Sequence, residues 1–272
     1  MTADADKAAR ELLAFYLEAG VDTPLGEEPV DRFADDTAAP AAEPVRAAQP
    51  VAQPSAERPR VSAPSLPLGA PSPPDAAAMA ARDAVAGVAT LEALRVALDA
   101  FEGCALKATA TQLVFADGNP QAKLMIVGEA PGRDEDIEGL PFVGRSGKLL
   151  DRMLAAIGLD RTTVYIANIL PWWPPGNRKP TPQESAICLP FIQRHIELVD
   201  PDILLCLGGT SAETLLRIKG ITRTRGRWFS YHTGKREIRA MPTFHPAFLL
   251  RSPLQKRLAW RDFLAVKKAL AG

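Results

Sequence analysis

The chain of 272 residues has only three cysteines, Cys104, Cys188 and Cys206. Three thiols cannot build a disulfide framework, so stability must come from a packed core, and their scarcity fits a reducing compartment. Long apolar runs are also missing: nothing approaches the roughly 18 uninterrupted apolar residues of a membrane span. The first ten residues, MTADADKAAR, lack a basic-then-apolar leader. Together these absences predict a cytoplasmic protein with no membrane partner. Aromatic residues amount to 6%, and residues 40–74 have none. Net charge of either sign is absent, since 32 basic side chains balance 32 acidic ones. What is present is an apolar fraction of 47%, enough for a core in one or two domains.

The neutrality hides an asymmetry. Residues 1–75 carry 13 acids and 6 bases, whereas residues 217–272 carry 14 bases and only two acids, Glu237 and Asp262. A local excess of that size attracts a polyanion, although a solvated basic helix with loops has the same composition. Ten of the 25 prolines fall within 40–74. Such a stretch buries too little apolar surface to offset its ordering entropy, which predicts a disordered linker over 37–75. Ahead of it, in the 1–36 segment, residues 5–20 place Leu12, Leu13, Tyr16 and Leu17 on one helical face. That helix has two uses open to it, docking on a protein partner or folding back.

Residues 76–272 form the third segment and read as α/β. An alanine-rich helical stretch over 75–100 breaks near Gly87, and strands are expected over 124–128, 164–170, 203–207 and 237–244. Helices are expected over 144–159, 182–199, 211–218 and 254–270. The alternation predicts a three-layer α/β/α sandwich around a short, mainly four-stranded parallel sheet. Ligands of such sheets bind beyond the carboxyl ends of the strands.

The loops at those ends hold the unusual residues. GEAPG places Gly128, Glu129 and Ala130 directly after a strand, with backbone N–H groups free to face a ligand; an isolated Glu129 can equally cap a helix. The glycines match neither a dinucleotide-binding nor a phosphate-cradling loop, so no nucleotide cofactor is indicated. Phe142, between glycines, is either a core plug or a stacking face for a base. The Asn168 amide offers a donor and an acceptor suited to a pyrimidine edge. Four prolines stiffen 171–180 around Asn177, Arg178 and Lys179. His245 follows the last strand, and after it Phe248, Leu249 and Leu250 precede Arg251, Lys256 and Arg257. Exposed leucines beside phosphate-binding cations suit a duplex wedge.

In this order and spacing, GEAPG-x-DED, PFVG-x-SG-x-LL, N-x5-PPGNR-x-PTPQE and a late HPA resemble the uracil-DNA glycosylase superfamily, closest to family four. The resemblance covers roughly 100–270. It implies hydrolysis of the N-glycosidic bond of uracil in single- or double-stranded DNA by a monomer that meets the nucleoid when acting. By resemblance, Glu129 orients the attacking water, Phe142 stacks on the flipped base, Asn168 bonds its polar edge and His245 donates to uracil O2. Leu249, Leu250 and Arg251 hold the vacated stack, and Asn177 lies near the water. Xanthine or hypoxanthine as principal substrate is one alternative, and a non-catalytic DNA-binding adaptor is another.

The family normally carries a four-iron, four-sulfur cluster on a C-x2-C pair and a C-x15-C pair. Here only the second position of each pair is cysteine, Cys104 and Cys188, while Phe101 and Trp172 stand in the first positions. A cluster wants four thiolates, so no cofactor is expected and the two aromatics should pack that region. The covalent branch of the superfamily uses a histidine on an inserted basic loop; PPGNRKPTPQE has neither insertion nor histidine, which predicts ordinary turnover.

Overall fold

A computed structural model describes residues 74–272. The helix expected over 5–20 and the 1–36 segment lie outside the described residues, as does the linker except for its last two positions. Those two, Pro74 and Asp75, open the first helix instead. In chain order the elements are α1 (Pro74–Val85), α2 (Leu91–Ala100), β1 (Asp117–Gly118), β2 (Leu124–Gly128), α3 (Arg133–Glu138), α4 (Arg145–Ala155), β3 (Tyr165–Asn168), α5 (Pro182–Val199), β4 (Ile203–Leu207), α6 (Gly209–Leu216), α7 (Ile221–Thr224), β5 (Phe229–His232), β6 (Glu237–Thr243), α8 (Pro246–Arg251) and α9 (Lys256–Leu270).

One six-stranded sheet runs in the order β1-β3-β2-β4-β6-β5. Its four inner strands are parallel, as expected. The two edge strands pair antiparallel and were not anticipated. β1 is only two residues long and leaves no periodic signature; β5 has a single buried residue in four.

Because successive strand side chains point to opposite faces, each inner strand feeds two cores. Met125, Val127, Tyr165, Ala167, Leu204 and Cys206 join residues of α1, α2 and α5 on one side. Leu124, Ile126, Ile166, Ile203, Leu205 and Leu207 join α4 and α9 on the other. The result is the expected three-layer sandwich. No helix among the described residues is long and apolar enough to cross a membrane.

The sharpest departure from the sequence reading follows β6. The loop expected there is the helix α8: Pro246 sits at its first position, and the His245 side chain caps it, Nδ1 accepting from the Ala247 amide at 3.1 Å. Consecutive residues of a helix point about 100° apart, so the leucine pair cannot face outward together. Leu249 is turned fully inward against Phe244 and Ala259, whereas Leu250 stays exposed. Leu249 is therefore a core residue and not part of a wedge. Leu249→Ala should cost about 2–5 kcal/mol of unfolding free energy, while Leu250→Ala should stay within about 0.5 kcal/mol, both measured by urea denaturation.

Candidate active site

The parallel register sets the ends of the inner strands side by side. Gly128 pairs with Asn168 across β2 and β3, and beyond the strands the Ile169 amide donates to Gly128 O at 3.0 Å. On the other side Leu207 pairs with Thr243, and the Gly208 amide donates to Thr243 O at 2.8 Å. The strand ends at Glu129, Asn168 and His245 open onto one cavity of about 760 Å³.

Gly128 makes the inner slot. A Cβ at that position would overlap the Asn168 side-chain oxygen and come within 2.6 Å of the tip of the Phe142 ring. Only glycine lets the amide and the aromatic face lie together there. Asn168 is buried, and its Oδ1 has no hydrogen-bond partner; it is the one such buried side-chain atom among the described residues. An unpaired buried acceptor costs about 1–3 kcal/mol, which fits an atom kept ready for a donor on a ligand. Phe142 is also buried, with its backbone in the left-handed region (φ 55°). The Phe142 and His245 rings stack at 5.5 Å between centroids, tilted by 30°.

Glu129 is half-buried and lines the cavity. It does not cap α3: that task falls to Glu135, whose Oε2 accepts from the Gly132 amide and whose Oε1 accepts from the Gly144 amide, each at 3.0 Å. Glu135 thus ties the two glycine loops together, which leaves Glu129 facing the cavity without that structural duty. The sequence reading missed Glu135, although a glutamate three residues into a helix is a recognisable capping signal.

Asn177 lines the cavity rim from an exposed, left-handed turn (φ 55°). Its Oδ1 accepts from Trp173 Nε1 at 2.7 Å, which leaves its amide nitrogen to donate to a ligand. Arg178 is held by both oxygens of Glu184 at 2.9 and 2.6 Å, while Glu184 and Thr181 cap α5 reciprocally. The stiff proline loop is thereby pinned to α5.

Of the expected DNA-binding set, Phe248, Leu250 and Arg251 line the cavity together with Arg133, Arg145 and Lys179. Arg133 and Arg145 went unnoticed because each opens a short helix inside a stretch read chiefly for its glycines. Lys256 instead borders a separate, mainly apolar groove with Met153 and Trp260. Arg257 is exposed on the first turn of α9 and lines neither. The rim cations come from the starts of α3 and α4, the proline loop and the end of α8 rather than from the basic C-terminal helix.

Cys104 and Cys188 lie in the core beneath α2 and α5, where a hydrogen bond between the two thiols holds Cys104 below and Cys188 above the ordinary thiol range. Phe101 stands edge-on to Phe191 at 5.0 Å, and Trp172 is almost fully buried. The expected packing role of both aromatics holds. Among the described residues no group of three or more cysteine, histidine or carboxylate side chains is arranged to hold a metal. Two thiols walled by aromatics do not fit a cluster that needs four thiolates.

The family model of the Uracil DNA glycosylase superfamily matches residues 115–264. A type-4 uracil-DNA glycosylase of Archaeoglobus fulgidus is 40% identical over 165 residues, covering 59% of this chain and 83% of that protein. The one of Saccharolobus solfataricus is 40% identical over 164 residues, 58% of this chain and 76% of that protein. The one of Thermotoga maritima is 42% identical over 151 residues, 55% of this chain and 77% of that protein.

Burial, helped by the charge of Arg251, lowers the His245 pKa to about 4. Burial alone takes His195, paired with the Tyr165 hydroxyl at 2.8 Å, to about 3. Both imidazoles are therefore neutral in the fold at neutral pH, and His245 carries its proton on Nε2 because Nδ1 accepts from Ala247. In the unfolded chain they take up protons below about 6.5. The unfolded state then binds more protons, so their contribution to stability is full above about pH 6.5 and is lost as pH falls toward 4 and 3. Urea denaturation across that window should show stability declining with acid. Nitrogen NMR at about pH 6 should show the neutral Nε2–H form of His245, and a protonated ring would contradict the assignment.

Proposed function

This chain belongs to the uracil-DNA glycosylase superfamily, and from that membership we propose that it hydrolyses the N-glycosidic bond of uracil in DNA, leaving free uracil and an abasic site. The observation that carries the reading is the orphaned Asn168 Oδ1 beside the Phe142 ring. Uracil presents an N3–H donor where cytosine presents an acceptor, so a dry, unpaired oxygen favours uracil and leaves cytosine facing a second acceptor. A base is reached by extrusion from the duplex, which costs a few kcal/mol and least at a mispair. On this reading Leu250 fills the gap, with Arg251, Arg145 and Lys179 on phosphates; its exposure on α8 and the cavity position of these cations support it.

Water adds at C1′ as the N1–C1′ bond breaks; the bonding pair leaves with uracil, and the proton shed by the water passes through solvent to the uracil anion. Negative charge on the leaving base spreads toward O2, where the neutral His245 donates a hydrogen bond from Nε2–H and keeps its proton. The Glu129 carboxylate faces the sugar, orienting the water and opposing the positive charge that develops there. Two groups of opposite character at the two ends of one bond stabilise the charge-separated transition state. Asn177 supports the water side through its remaining amide donor. The catalytic work lies within residues 76–272, and the acidic 1–36 segment and the 37–75 linker stand outside it.

Purified protein should release uracil from single- and double-stranded oligonucleotides, faster than hypoxanthine or xanthine from matched substrates. Single-turnover rates of Glu129→Gln, Asn168→Leu and His245→Ala should each fall about 10²–10³-fold, and Leu250→Ala should slow duplex excision more than single-strand excision. Unchanged rates in the first three would remove the mechanism, and no release by wild type would favour an adaptor.

We also propose that the protein works without an iron–sulfur cluster, its place taken by Phe101 and Trp172. Protein purified without oxygen should contain no stoichiometric iron or acid-labile sulfide. About four irons per chain would overturn this.

A further inference from the structure

Phe142 is useful as a stacking face only if its backbone is kept where an aromatic residue rarely goes. Its φ of 55° lies in the left-handed region, so something outside the residue must hold it. Two contacts do so. The Phe142 carbonyl is turned against Gly147, where any Cβ would overlap it, and it accepts from Arg161 Nη2. The same guanidinium donates through Nη1 to the preceding carbonyl, Pro141 O, at 3.0 Å.

Arg161 is itself fixed from two directions. Nη1 contacts Asp117 Oδ2 on the edge strand β1 at 2.7 Å, and Nε contacts Asp151 Oδ1 on α4 at 2.8 Å. Its side chain is only a quarter exposed. One planar fork thus joins two consecutive carbonyls of the aromatic turn to two carboxylates on separate elements. A lysine, with one ammonium and no fork, cannot span that set.

We infer that Arg161 is a positioning residue for the reaction, setting the plane of the Phe142 ring against the incoming base. The inference rests on the reading of Phe142 as the stacking face. Arg161 touches no reacting atom, so its loss weakens base binding more than it slows bond cleavage.

The test is steady-state uracil excision from a single-stranded oligonucleotide, with inhibition by free uracil as a second measure of base binding. Arg161→Gln should raise KM and the free-uracil inhibition constant together, by about 5–20-fold, a fraction of what base–aromatic stacking supplies. The kcat should change by less than about 3-fold. Arg161→Lys should not rescue. In a Phe142→Ala background Arg161→Gln should have no further effect, because the ring it positions is gone. An equal effect in both backgrounds, or a loss confined to kcat, overturns the assignment. Should Arg161→Gln fail to fold, Asp117→Asn and Asp151→Asn each loosen one anchor. They should shift KM and the inhibition constant in the same direction by less, at an unchanged melting temperature, and no shift in either overturns the assignment. Phe142→Ala with unaltered KM would instead remove the stacking reading itself, a failure distinguishable from that of Arg161.

Discussion

A polar atom withheld from water is the constraint around which the pocket is arranged. Asn168 closes β3 in the middle of the sheet, where its amide oxygen meets neither solvent nor any donor. A lone acceptor in that position is destabilising unless a ligand pairs with it. It can persist because the surrounding backbone is rigid: β2 and β3 continue to exchange hydrogen bonds past their ends, through Gly128 and Glu129. The absence of a side chain at Gly128 then allows the Phe142 ring to approach the same slot. Position and dryness follow from strand pairing, whereas the flat face is held by Gly147 and Arg161.

Charge is distributed around this slot by burial. His245 is capped into α8 and kept neutral, so its Nε2–H is a fixed, uncharged donor at the cavity. Glu129 is relieved of structural hydrogen bonding by Glu135, which takes both loop amides. Cations gather at the rim from α3, α4, the proline loop and α8. The short helix α8 therefore does two things at once: it aims His245 inward at its start and offers Leu250 and Arg251 outward at its end.

The region around Cys104 and Cys188 is continuous with the core. Phe101, Trp172 and Phe191 are buried there together, with two cysteine thiols facing one another. α2, α5 and the start of the proline loop meet there through side-chain packing of large aromatics.

The sequence alone determined the layers, the inner strands and most of the pocket. Apolar runs flanked by glycine, and helical periodicity between them, report burial directly, so the letters alone put Glu129, Asn168 and His245 at strand ends. The substituted cluster positions were equally visible, because identity at a spacing needs no geometry. Tertiary structure decided what spacing cannot express. Whether Leu249 or Leu250 faces water depends on a helix set by the His245 cap, and a run of apolar letters is the same in a loop as in a helix. The clamp by Arg161 reaches residues 19 to 44 positions away, Phe142, Pro141 and Asp117, through a side chain with no local pattern. Which cations reach the cavity was likewise decided by how the loops fold over the sheet, since net charge records how many there are and not where they point.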